Sequence, residues 1–91
     1  MMKIQIREMD DEVTFQVEGR LAGAWVTELE QCWRSARPAH PNARFSVDLT
    51  GVTYIDQAGR YLLQLMHRDG ASFVAAGLMT QGIVDQITGI Q

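Results

Sequence analysis

The sequence predicts a single α/β domain over residues 1–91, with elements in the order β-β-α-β-α-β-α and a mixed β-sheet of about four strands with helices packed against it. Three observations predict this. Apolar residues alternate with period two at the start of the chain and again in its middle. Between and after those stretches, apolar residues fall at helical spacing. Turn-forming residues separate one pattern from the next, and no repeat, linker or low-complexity tract interrupts them.

Ile4 and Ile6, then Val13, Phe15 and Val17, alternate with polar residues around the turn Met9-Asp10-Asp11-Glu12, which reads as a β-hairpin. After Gly19 the period changes. Trp25, Leu29, Cys32, Trp33 and Ala36 share one side of a helical wheel, with Val26 at its edge, and Glu30–Arg34 has the favourable i,i+4 charge order. Arg37-Pro38 is expected to end that helix and Pro38–Ala43 to form a surface loop. Both tryptophans read as packing residues, with Trp25 the nearer to the surface.

Phe45, Val47 and Leu49 give a third strand, which Thr50-Gly51 is expected to break before Val52–Ile55 leads to Asp56. From Gln57 to Asp69 the helical period returns, with Ala58, Tyr61, Leu62, Leu65 and Met66 on the predicted inner face and Gly70 as the stop. Phe73–Ala76 reads as a short, fully apolar strand inside the sheet. Thr80 is expected to cap a last helix carrying Ile83, Val84, Ile87 and Ile90. Each β-α-β crossover holds a helix, which favours parallel pairing.

Composition narrows the function. The chain has 46% apolar and 21% charged residues, enough for both a core and a soluble surface. A net charge of −3, without a dense basic run, disfavours nucleic acid and anionic membrane surfaces as partners. The longest apolar run, Phe73–Met79 around Gly77, is far shorter than the ~20 residues that span a bilayer. The N-terminus lacks the apolar centre of a signal peptide, and Cys32 alone forms no internal disulfide, so a cytoplasmic location is expected.

No residues assemble a recognisable enzyme. His40, His67 and Cys32 are isolated, whereas metal sites need clustered donors, so neither a metal nor another cofactor is expected. Ser35, Ser46 and Ser72 sit in ordinary helix or strand-edge positions without a nucleophile elbow. No glycine-rich phosphate loop is present. Cys32 falls on an apolar helical face, as a small core residue does.

One segment remains, Val52-Thr53-Tyr54-Ile55-Asp56-Gln57-Ala58-Gly59-Arg60. On local physics, Asp56 caps a helix, Gly59 permits close packing and Arg60 is solvated. The segment also resembles the STAS family, the sulfate-transporter and anti-sigma-factor-antagonist domains with a SpoIIAA-like fold. The pattern there is an apolar strand, a short apolar run ending in Asp, one variable residue, Ser or Thr, then Gly and a helix. Val47-Asp48-Leu49, Val52–Ile55, Asp56, Gln57, Ala58 and Gly59 occupy those places in order. Phe15–Leu21 and Gly70-Ala71-Ser72-Phe73 extend the resemblance over about residues 12 to 90.

The resemblance implies a non-enzymatic domain of bacterial signal transduction and transcription regulation that binds a kinase-type anti-sigma factor. In the family the Ser or Thr before the glycine is a phosphorylation switch. Here Ala58 stands at that position and carries no hydroxyl. Carried over by position, Asp56, Gln57, Ala58, Gly59 and Arg60 form a candidate docking surface with Arg20, Ala22 and Gly23 of the neighbouring turn, without the switch. Two alternatives follow from the same resemblance: an accessory subunit gripping the ATPase of a lipid-type ABC transporter, and a small-ligand sensor. The family also continues with a strand and a helix past the position of Ile90, so an uncovered sheet edge or helix face is expected, and with it a homodimer.

Overall fold

The computed structural model describes residues 2–89. Four strands form one sheet in the order β1-β2-β3-β4: β1 (Met2–Met9), β2 (Glu12–Leu21), β3 (Arg44–Ile55) and β4 (Ser72–Val74). Three helices connect and follow them: α1 (Ala24–Ala39), α2 (Gln57–Arg68) and α3 (Leu78–Thr88). The order is the one the periodicities predict. β1 and β2 make the antiparallel hairpin, turning at Asp10 with φ of 41°, a conformation aspartate tolerates. The β2–β3 and β3–β4 pairs are parallel, as their helical crossovers require.

One face of the sheet holds the core. Val13, Phe15, Val17 and Leu21 of β2 and Val47, Leu49, Val52 and Ile55 of β3 are buried beneath Val26, Leu29 and Trp33 of α1 and Leu62, Leu63 and Met66 of α2. Phe15, Trp33 and Phe45 meet as a triangle, with ring centroids 6.0, 6.3 and 5.1 Å apart, within the range where aromatic pairs attract. Trp33 is 4% exposed and Trp25 38%, the division expected of the two. Among the described residues no helix covers the other face of the sheet. Thr14, Gln16, Ser46 and Asp48 lie there half-buried, and the Thr14 and Ser46 hydroxyls share a hydrogen bond of 2.9 Å.

Several local expectations are corrected. Pro38 does not end α1 but lies inside its last turn, and the His40 N–H closes the helix on the carbonyls of Ala36 and Arg37. At an exposed helix end the missing proline N–H removes a single bond, so the usual exclusion relaxes. Thr50-Gly51 does not break β3. The register slips between Gln16 and Glu18, which pair with Asp48 and Gly51, and again between Gly19 and Arg20, which pair with Val52 and Tyr54. Each bulge adds a residue to β3 and returns its apolar side chains to the core face, so burial steps from Leu49 to Val52 to Ile55. Gly51 sits where β3 crowds its neighbour; a Cβ there would lie 2.8 Å from Glu18 Cγ.

Phe73–Ala76 is not an interior strand. β4 is three residues on the sheet edge, and Val74 is 53% exposed, because an apolar run does not reveal how many neighbours it will have. Thr80 does not cap α3. Gly77 holds that position, and Thr80 is buried one turn in, its hydroxyl donating to the Val52 carbonyl at 3.5 Å. Ile90, assigned to this helix, lies outside the described residues.

The largest correction concerns α2. Its buried stripe is Gly59, Leu62, Leu63 and Met66, not Ala58, Tyr61, Leu62, Leu65 and Met66. Both sets satisfy helical spacing. The glycine decides between them, because its lack of a side chain lets α2 approach the sheet end. On α1 the inner position of the first turn is likewise Val26, with Trp25 turned outward.

Candidate functional site

The predicted site residues gather beyond the carboxyl ends of the two parallel central strands, where open α/β sheets place their functional groups. β2 and β3 finish side by side at Leu21 and Ile55, and the Asp56 N–H donates to the Leu21 carbonyl at 3.1 Å. Ala22 and Gly23 then turn into α1, with Gly23 at φ of 58°.

Asp56 holds this corner together. Its Oδ1 accepts from the Gly59 N–H at 2.7 Å, capping α2. Its Oδ2 accepts from the Gly23 N–H at 3.0 Å, tying in the β2–α1 turn thirty-three residues away in sequence. With both oxygens engaged, the carboxylate is a latch between two loops rather than a free acid or base. The Gly23 N–H first, and the Gly59 N–H second, hold its pKa below the ordinary 3.8. Asp48 is held low in the same way, by the backbone N–H and the hydroxyl of Thr50.

Such carboxylates bind fewer protons folded than unfolded. Their stabilisation is complete above about pH 4 and is lost as pH falls through the lowered folded value. Asp56→Asn keeps one acceptor oxygen and so loses one of the two backbone bonds, which is expected to cost about 1 kcal/mol. It should also flatten the acid limb of the urea-midpoint profile. An unchanged acid limb would show that the latch is not formed in solution.

Around the latch, Gln57, Ala58 and Arg60 are exposed and Gly59 is buried, so the glycine supports this surface from beneath instead of belonging to it. Arg20 is exposed on the helix-free side, its guanidinium 4.5 Å above the Tyr54 ring. Ala22 is half-buried and Gly23 exposed. Arg20 thus lies on the opposite face of the sheet from Ala58, near the same carboxyl ends of the central strands.

The outer face of α2 adds Tyr61, 63% exposed, although the apolar stripe predicts it on the inner face. Ala58 and Tyr61 form a ridge between two grooves. One, about 270 Å³, runs between α1 and α2 and is lined by Gly23, Val26, Thr27 and Leu65 among others. The other, about 700 Å³, lies between α2 and α3 and adds Gln57, Arg60, Gln64, Gln86 and Ile87. An exposed tyrosine stands here because α2 turns its glycine-bearing stripe inward. The signal was present in the sequence as the second helical stripe through Gly59.

The rest of the surface offers little chemistry. Among the described residues no three His, Cys, Asp or Glu side chains stand together, and no helix is long and apolar enough to cross a membrane. Burial and the Glu28 carboxylate push the Cys32 thiol up, away from the reactive thiolate. Val74, Leu78 and Met79 are exposed near β4, apart from the Asp56 corner.

No family model matches the chain, and no curated protein matches it by sequence. Solved structures do match. One is an uncharacterized protein of the DUF3478 family with a SpoIIAA-like fold from Shewanella loihica PV-4, at TM-score 0.58 and 16% identity, covering 86% of this chain and 69% of that one. Another is a crystal structure of Mglu, at TM-score 0.61 and 18% identity, covering 81% of this chain. The chain spans 19% of the length of Mglu. These likenesses establish the fold: a SpoIIAA-like α/β domain, with a four-stranded mixed sheet and three helices, as the STAS resemblance implies.

Proposed function

We propose that this domain is a non-enzymatic protein-docking module, resembling an anti-sigma-factor antagonist, that binds a kinase-type partner through the outer face of α2 and holds it without a phosphorylation switch. The observation that carries the reading is Ala58 itself. It is exposed in the first turn of α2, on a ridge with a groove to either side, at the place where the resembled family carries its acceptor hydroxyl.

The surroundings fit the task. An interface gains most from a few aromatic and arginine anchors seated in well-packed surroundings. Tyr61 stands on the ridge, Arg60 lines the α2–α3 groove beside it, and both grooves are open to side chains from the other molecule. The Asp56 latch fixes the β2–α1 turn against α2, so little ordering cost is left to binding. A methyl group at position 58 leaves this contact neutral whatever the nucleotide state of the partner.

Restoring the hydroxyl tests the reading and names the class of partner. Ala58→Ser is expected to keep affinity for the partner that co-purifies with the wild-type chain. With ATP, a kinase-type partner moves the γ-phosphoryl group to the introduced oxygen and releases ADP. The added charge of about −1.5 to −2 then ejects the domain. Intact-mass spectrometry should show one phosphate on the variant and none on the wild-type chain. A transporter ATPase as the co-purified partner would leave both unmodified and favour the accessory-subunit alternative. Phosphorylation and release of the wild-type chain would overturn the proposal.

A further inference from the structure

Among the described residues the sheet ends on β1, whose eight residues pair with β2 on one side and with no strand on the other. Such an edge presents a row of backbone N–H and C=O groups ready to accept another strand. Its side chains divide between the two faces of the sheet. On the helix side Ile4 packs against the core and Ile6 is 42% exposed. Ile6 and Glu8 form one wall of a groove of about 380 Å³, and Cys32, Ala36 and Ala39 of α1 form much of the other. His40 closes one end, its Nε2 3.2 Å from Glu8 Oε2.

On the helix-free side Lys3, Gln5 and Arg7 stand in a row, all exposed. Lys3 faces Glu18 and Arg7 faces Thr14 across the ladder, yet neither cation closes an ion pair among the described residues. Arg7 is felt electrostatically by Asp48 two strands away without reaching it.

This pattern discriminates between occupants. A second copy would pair antiparallel with the helices of both copies on the same side. In the register centred on Gln5, Lys3 of each copy faces Arg7 of the other, a like-charge pair repeated twice. In the register centred on Ile6, Glu8 faces Ile4 on the groove side and loses water without gaining a partner. Neither suits the strand. The register centred on Ile4, which has no such clash, pairs only residues 2–6 and leaves Arg7 and the groove wall at Glu8 uncovered. A segment from another protein meets no such conflict, provided that its residues alternate between apolar and acidic.

We propose that the β1 edge and its α1 groove take an extended segment of another protein as a fifth strand, its apolar residues against Ile6, Cys32 and Ala36 and its acidic residues against Lys3 and Arg7. Main-chain pairing then supplies affinity, and the alternating side chains supply selectivity. The site lies at the β1 edge, laterally apart from the α2–α3 groove, so the two surfaces are available together.

The test titrates isotope-labelled full-length chain with two synthetic peptides, one alternating valine with glutamate and one alternating valine with lysine, and follows backbone amide resonances. The glutamate peptide is expected to shift residues of β1 and of the Cys32–Ala39 half of α1, and to bind roughly tenfold more tightly than the lysine peptide. In the double variant Lys3→Glu, Arg7→Glu, with a well-dispersed spectrum as proof of folding, that preference should reverse. Equal binding of both peptides, shifts centred on α2, a preference that survives the double charge reversal, or a dimer formed through β1 would each overturn the proposal.

Discussion

Gly59→Ala is expected to destabilise the domain by about 1–3 kcal/mol, although alanine is the better helix former by about 1 kcal/mol. The reason is the seat of α2 on the ends of the central strands. A Cβ at position 59 would lie 2.9 Å from the Leu21 carbonyl oxygen and 2.9 Å from Ile55 Cγ2, closer than real side chains approach. The carbonyl belongs to the β2 backbone and accepts from the Asp56 N–H, so it cannot swing aside without disturbing the corner itself. Relief comes only by lifting α2, which loosens Leu62, Leu63 and Met66 from the core.

Gly82 is the control for this argument. It lies inside α3, and a Cβ there would meet nothing within 4 Å. Gly82→Ala should therefore gain stability, by up to about 1 kcal/mol. Urea denaturation of the two variants beside the parent checks both signs. If both substitutions stabilise, the close approach of α2 to Leu21 is not present in solution.

Ala58→Glu should have the larger effect on binding and almost none on folding. The position is exposed in the first turn of α2, where an acidic side chain is helped by the helix dipole, so the free domain should lose little or no stability. In a complex the same carboxylate would be pressed into a contact that now meets a methyl group. An unpaired charge deprived of water costs several kcal/mol. A loss of roughly a hundredfold in affinity, about 2.7 kcal/mol, is the expected scale in calorimetry against the purified partner. Unchanged affinity would move the interface elsewhere on the molecule.

The pattern that gives the element order is strong because helix and strand periods differ so widely, and both the antiparallel hairpin and the parallel crossovers follow from connection length. What the pattern leaves open is phase. Residues 58–66 hold two stripes at helical spacing, one through Ala58 and Tyr61 and one through Gly59 and Leu63. Counting apolar side chains favours the first, because glycine has none. The structure takes the second, because the contact with Leu21 and Ile55 has no room for a side chain. That choice puts Tyr61 on the surface.

The two bulges in β3 have a similar origin. A period-two reading sees a break at Thr50-Gly51, whereas the strand absorbs an extra residue and continues. The cap made by Asp56 is legible, since an aspartate ahead of a helical period is a local signal. Its second bond, to Gly23, depends on β2 and β3 ending side by side, and no local pattern encodes that.

The most direct measurement replaces Tyr61 with a photo-crosslinking phenylalanine analogue in the full chain, in its native cells, with Val74 carrying the same analogue as a comparison site. Irradiation should join position 61, and not position 74, to a nucleotide-binding protein of the kinase type, and Ala58→Glu in the same chain should abolish that adduct. An adduct that forms from position 74 instead, or one from position 61 that Ala58→Glu leaves intact, would contradict docking through the outer face of α2.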